Sequence, residues 1–393
     1  MATTEQSSKL DAVRAEMPYA RNNVFLNAGS YGPIPQRTLD AIYDYMKLEF
    51  EEGRSFPRAA ETKATARETA AAAFQTPVSS VALTRHTTDG MNIGIMGLNW
   101  EPGDELIITD TEHPGGQYPA YVAARRYGVQ LRRVNLGDGS GDILGAIEAA
   151  ISSRTRMIVT SHLTWNTGTL LPIKEIQQLA IRNNLLLICD AAQSAGSVPA
   201  NLGEMGIDVY ATPGQKWLCG PEGTGATFVS PRGIERLYQT IVGGSSMQYG
   251  ASEHVGGYVL PQSGANRFEV AGVNQAAVAG YTSSVHWISQ ELGMDWAHQR
   301  IASLGQYAWE KLSNIDGVHV ITPKDRMAGL VSFTVEGVEP PALVERLAQD
   351  RVIIRNIGFP VCSRLSTSFY NTEEDIDKAA AAIDNARREL AEK

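Results

Sequence analysis

The 393-residue chain has only three cysteines, Cys189, Cys219 and Cys362, and no CxxC pair. So small and scattered a set excludes a disulfide framework and a structural zinc site of the usual spacing, and it points to a reducing, cytoplasmic compartment. No run of about 18 apolar residues occurs, and MATTEQSSKLDAVRAEMPYA lacks a cationic stretch followed by an apolar core, so neither a membrane span nor a secretory leader is expected. Positive charge is scarce. With 34 basic against 43 acidic residues the formal charge is −9, which argues against nucleic acid and anionic membranes as partners. GxxxxGK[ST], GxGxxG after a strand, HExxH and GxSxG are all missing, which removes the usual support for P-loop, dinucleotide, zincin and serine-hydrolase chemistry.

What is present is an ordinary globular composition, 43% hydrophobic and 20% charged, long enough for about two domains. Short β-rich runs alternate with longer helical stretches: VALT at 81, ELIIT at 105, VQLRRV at 129, RMIVT at 156 and NLLLIC at 184. Several are apolar on both faces, which predicts an α/β fold with a large, mostly parallel sheet covered by helices on two sides. DVYA at 208 and GATFVS at 225 read as further strands of that sheet, separated by a loop, TPGQKWLCGPEGTG. From about Asn274 to Leu312 the pattern turns to long helices. A smaller α+β unit follows, with strands at VHVIT, GLVSFTV, VIIRN and RLSTSF, and a last helix capped by Thr372 with Asp375. The expected division is an N-terminal segment, 1–20, packed on the small unit; a large domain, 21–273; and the linking helices with the small C-terminal domain, 274–393.

Asp190 ends the apolar strand NLLLIC, and Gln193 follows in DAAQSAG, at the strand end where open α/β sheets bind ligands. Taken alone, Asp190 reads equally well as a helix cap. Lys216, in the small-residue loop TPGQKW, is a surface lysine by base rate or an amine made nucleophilic by desolvation. A strand-end acid, a nearby amide and a downstream lysine together match the parts that pyridoxal 5'-phosphate needs: an acid for the ring nitrogen and an amine for the aldehyde.

At these residues the chain resembles the class V aminotransferase branch of the fold-type-I PLP-dependent enzymes, which contains cysteine desulfurases, isopenicillin N epimerase-like proteins and carbon–sulfur lyases. NAGSYGPIP, HTTDGMNIG, EHPGGQ, SHLTWNTGTLLPI, DAAQSAGSVP, QKWLCGPEGTG, RFEVAG, GLVSFTV and RLSTSFYNTEEDID carry the resemblance over nearly the whole chain. It implies that Lys216 bonds the cofactor, Asp190 faces the ring nitrogen, His113 stacks on the ring, and Gln193 and Asn166 face the ring hydroxyl. Thr87 and Thr88 would hold the phosphate, a role their position after a strand also suits. Arg364, with Arg355 and Asn166, would bind the substrate carboxylate. The resemblance also implies a homodimer in which Gly272 approaches the neighbour's phosphate.

The chain departs from its relatives at Gln215, where many carry His, and at Pro213, where they carry Ser or Thr; Thr212 is expected to take over that phosphate contact. GGSSMQYGA lacks a tryptophan expected in a cystine-cleaving relative. The implied activity is β-elimination from cysteine, cystine or an S-substituted cysteine, giving a thiol or persulfide, pyruvate and ammonia. The alternatives are a desulfurase using Cys362, read here as lying in a loop between Arg355 and Arg364, or an aminotransferase, epimerase or decarboxylating relative.

Overall fold

The computed structural model describes residues 4–248 and 260–391, so the GGSSMQYGA stretch lies partly outside the described residues. Strand β1 (Val24–Phe25) precedes the seven strands of the large sheet. These are β2 (Val81–Thr84), β3 (Glu105–Thr109), β4 (Gln130–Val134), β5 (Thr155–Ser161), β6 (Leu186–Asp190), β7 (Val209–Pro213) and β8 (Gly225–Val229). Their order is β2-β8-β7-β6-β5-β3-β4. The central strands are buried on both faces. Ile107, Ile158, Leu187 and Tyr210 join one core with Ile176 and Leu179 of the Ile173–Arg182 helix, whereas Leu106, Val159, Ile188 and Ala211 join another with Met91 and Ile95 of the Thr87–Met96 helix. This two-sided burial is why the runs are apolar throughout rather than alternating.

β3 through β7 pair in parallel, but β8 runs antiparallel to both β7 and β2. The loop from Gly214 to Thr224 contains no crossover helix, and a parallel return needs one. β7 also runs further than expected and takes Thr212 and Pro213 out of the loop.

β4 lies on one side of β3 and β5 on the other, so the winding reverses between β3 and β5. Such a reversal opens a crevice beyond the carboxyl ends of the strands. The Thr87–Met96 helix is pressed onto the sheet below that crevice: a Cβ on Gly94 would come within 2.7 Å of the Ile188 side chain.

Helices Gln275–His286 and Met294–Ser313 lead to the second unit. It contains β9 (Val318–Val320), β10 (Leu330–Val335), β11 (Val352–Ile353), β12 (Arg355–Gly358) and β13 (Val361–Ser366), followed by the Glu373–Ala391 helix. The VIIRN run divides: β11 pairs with β1, while β12 pairs with β13 in the antiparallel sheet β12-β13-β10-β9. Thr372 Oγ1 accepts from the Asp375 N–H at 3.0 Å and the Asp375 carboxylate accepts from the Thr372 N–H at 3.1 Å, a reciprocal cap. Asp375 also pairs with Arg14 at 2.9 Å, which ties the Thr4–Glu16 helix to this unit.

The loop position expected for Cys362 is corrected: it lies inside β13, fully buried and paired with Ile357. The turn is confined to Phe359 and Pro360, so Val361 and Cys362 already alternate out and in as strand residues. Among the described residues no helix is long and apolar enough to cross a membrane.

Candidate active site

Asp190 is buried at the end of β6, in register with Ser161 at the end of β5. Its Oδ1 accepts from the Ala192 N–H at 2.8 Å; beyond Asp190 the chain enters a turn and not a helix, so the helix-cap alternative does not apply. Burial raises its pKa, opposed by that N–H and by the charge of Lys216. Lys216 is half-buried in the loop after β7. Burial brings its amine down to about 8, against the pull of Asp190, and Arg364 and Arg355 lower it further. Asp190 and Lys216 are thus brought into one electrostatic cluster with both arginines.

A second wall comes from the N-terminal NAGSYG segment. Gln193 Nε2 donates to the Gly29 carbonyl at 2.9 Å, and its Oε1 accepts from Trp217 Nε1 at 3.0 Å. A Cβ on Gly29 would stand 2.9 Å from Arg364 Nη2, 2.9 Å from Ser366 Oγ and 3.0 Å from Gln193 Oε1. Only glycine leaves that space open. Arg364 is fully buried; its Nη1 donates to the Trp165 carbonyl, while Nε and Nη2 have no partner among the described residues. Burial pulls this guanidinium down to about 9, with Arg355 adding to the effect. Two unpaired donors on a buried cation are costly unless an anion completes them. Arg355 pairs with Arg364 across the β12–β13 ladder and reaches Ser30 Oγ at 3.1 Å.

The third wall is made of helix N-termini. His113 caps the Pro114–Tyr127 helix, its Nδ1 accepting from the Gly115 N–H at 3.1 Å, and its ring meets Trp165 edge-on at 5.1 Å. Burial, then Lys216 and the two arginines, lower its pKa to about 4, so the imidazole is neutral at pH 7. Thr87 and Thr88 open the Thr87–Met96 helix, whose cap is His86. Thr87 Oγ1 is buried without a partner among the described residues, and a Cβ on Gly115 would lie 2.7 Å from Thr88 Oγ1, so two helix N-termini meet there. Asn166 completes this side; its Nδ2 donates to the Phe359 carbonyl at 3.1 Å and its Oδ1 accepts from the Thr167 N–H at 2.9 Å.

Thr212 is not brought into this cluster, and Gly272, expected at a neighbour's phosphate, lies apart from it. The Thr212 hydroxyl donates to the Ala226 carbonyl at 2.8 Å within the β7–β8 pair, because Thr212 belongs to the strand and not to the loop. Gly272 is exposed in a groove of about 710 Å³ lined also by Arg85, Asp89 and Phe268. Gln215 does stand by the lysine, its Oε1 buried and unpartnered among the described residues. Sequence reasoning missed Glu112, Gly29, Trp165 and Ser366; EHPGGQ, NAGSYG, TWN and RLSTSF contain them, but nothing in their types distinguishes them from packing residues.

An acid at a strand end, a lysine of lowered pKa, an open helix N-terminus and an incompletely paired guanidinium fit the ring nitrogen, aldehyde, phosphate and amino-acid carboxylate of pyridoxal phosphate with its substrate. With the mostly parallel sheet, they define a fold-type-I enzyme. The chain belongs to the aminotransferase class-V family, whose model matches residues 24–379. It is 28% identical to a probable cysteine desulfurase of Methanothermobacter thermautotrophicus over 94% of this chain and 96% of that one. Among solved structures it resembles the cystine C–S lyase C-DES in complex with its product, cysteine persulfide, at 30% identity and a TM-score of 0.89 over 94% of this chain and 99% of that one. A lysine variant of C-DES with glycine covalently linked to the PLP cofactor matches at 29% identity and the same TM-score of 0.89, over 95% of this chain and 99% of that one.

Proposed function

We propose that the protein is a pyridoxal phosphate-dependent carbon–sulfur lyase that performs β-elimination on cysteine, cystine or an S-substituted cysteine, releasing a thiol or persulfide, pyruvate and ammonia. Similarity to C-DES and to cysteine desulfurases supports the substrate class. The observation that carries elimination, rather than sulfur transfer to the protein, is Cys362. Its thiol is buried in β13, and burial pushes it up to about 11, so it is neither mobile nor a thiolate at neutral pH. Cys189 and Cys219 are also free and buried. Three unpaired thiols suit the cytoplasm.

Bound pyridoxal phosphate supplies an electron sink for the negative charge that develops at the substrate Cα. Lys216 would hold the cofactor through its amine and would take the substrate Cα proton, a role suited to an amine whose pKa lies near 8. Asp190 keeps the ring nitrogen protonated. His113, neutral, packs on the ring, and Thr87 and Thr88 hold the phosphate at the helix N-terminus. Arg364 binds the α-carboxylate, with Arg355 beside it and Gln193 and Asn166 orienting the ring hydroxyl.

The homodimer we propose rests on an exposed apolar row, Leu39, Tyr43, Met46 and Phe50, along one side of the Gln36–Glu52 helix, with Phe56 beyond it. Phe50 is 89% and Phe56 96% exposed, more apolar surface than a solitary chain leaves open without use. A second copy covers this face and brings Gly272 to its neighbour's phosphate. The domain division we read is 1–20, 21–273 and 274–393. The test is product analysis: holoenzyme given cystine and S-alkyl cysteines releases pyruvate and ammonia in equal amounts, whereas transamination or epimerisation releases neither.

A further inference from the structure

Glu112 lies between the end of β3 and His113, and the roles above do not use it. It is buried, with Oε1 accepting from Thr109 Oγ1 at 2.6 Å and from the Ser161 N–H at 2.8 Å. Oε2 accepts from Ser161 Oγ at 2.9 Å. Ser161 is the register partner of Asp190, and the next N–H, of His162, donates to the Asp190 carbonyl at 3.1 Å. The Glu112 carboxylate and the main-chain carbonyl of Asp190 therefore accept from successive N–H groups at the carboxyl end of β5, and the Asp190 side chain leaves from that same point.

The ionisable groups facing Glu112 are Asp190 and Cys189, both on β6. On the side of the helices the surroundings are small or apolar: a Cβ on Gly116 would lie 3.8 Å from Glu112 Oε2, 3.3 Å from Met91 and 3.9 Å from Val159. Asp190 has the charge of Lys216 in its favour, and Glu112 has hydrogen bonds but no ion pair among the described residues. The charge of Asp190 disfavours a second negative charge on Glu112, so the two buried carboxyls are linked in their ionisation. Burial first and Asp190 second push the Glu112 carboxyl up to about 7.

We infer that Glu112 is a positioning residue that acts through Ser161 and Asp190, its own charge setting how strongly the site favours positive charge on the bound cofactor. This rests on the pyridoxal phosphate reading above. An ionised Glu112 adds negative potential behind Asp190; a neutral one withdraws it.

The test is the visible absorption of the holoenzyme titrated against pH. Glu112→Gln keeps the shape and an acceptor for Thr109 and Ser161 but removes the charge, so the pH midpoint of the cofactor's spectral change falls by about one unit while the melting temperature stays near that of the wild type. Thr109→Val removes one hydrogen bond that favours the carboxylate, and it lowers the midpoint by a smaller amount. A Glu112→Gln protein that loads cofactor and titrates at the wild-type midpoint overturns the inference and leaves the cofactor reading intact. Wild-type protein that takes up no cofactor overturns both. If Glu112→Gln does not fold, Thr109→Val decides, and an unmoved midpoint there is equally contradictory.

Discussion

The Gly32 N–H donates to the Gln215 carbonyl at 2.7 Å, and a Cβ on Gly32 would collide with the carbonyl oxygen of Lys216. The N-terminal NAGSYG segment thus lies directly against the backbone that presents the lysine. The same segment touches Gln193 through Gly29 and Arg355 through Ser30, so one short stretch holds the large sheet, the lysine loop and the arginine hairpin together.

Gly32→Ala cannot be accommodated by a side-chain shift, because the obstruction is backbone. It is expected to destabilise the protein by about 1–3 kcal/mol and to weaken cofactor uptake. Gly358→Ala, with open space around its Cβ, is the control. Thermal unfolding and cofactor titration of both variants check this; a Gly32→Ala protein matching the control in both would contradict the packing described.

The uncharged form of Lys216 is the one that attacks an aldehyde, so the rate of covalent cofactor uptake by apo-protein rises with pH. Burial places the midpoint near 8, well below that of an ordinary lysine. The Asp190 carboxylate opposes this shift, so Asp190→Asn moves the midpoint lower still while slowing turnover severely. Stopped-flow absorbance across pH 6–11 measures it, and a wild-type midpoint above about 10 would show an ordinary solvated amine.

Arg364 offers a planar fork with two free donors, which an ammonium cannot reproduce. Arg364→Lys is expected to raise KM for an amino-acid substrate about 10- to 100-fold, from the loss of a charge-assisted hydrogen bond, with a smaller effect on kcat. Steady-state kinetics separate the two, and an unchanged KM removes Arg364 from the carboxylate site.

The central strands of the large sheet are legible because burial on both faces writes an unbroken apolar run, and Asp190 is legible because it ends one. The loop placement of Thr212 and Pro213 fails for a local reason: a proline reads as a strand breaker, yet β7 extends through it beside β8. Cys362 was hidden by the Gly-Phe-Pro sequence before it, which reads as a longer break than the two-residue turn it forms. Glu112 opens the quoted stretch EHPGGQ, but its contacts are not legible there. A lone glutamate beside a strand looks solvated, and only the fold brings Ser161 and Asp190 to it from distant parts of the chain. The contact of Gly32 with Lys216 is hidden in the same way, since a glycine has no chemistry to announce what lies above it.

The most direct test of the lyase account compares wild-type and Cys362→Ser holoenzyme on cystine, measuring pyruvate, ammonia and released sulfur species in the same samples. If the substrate Cβ–S bond breaks by elimination, no protein thiol takes part, and the two proteins give the same yields with turnover within about twofold. Loss of sulfur release in Cys362→Ser, with the cofactor still bound, would contradict the account and assign the protein to sulfur transfer through Cys362.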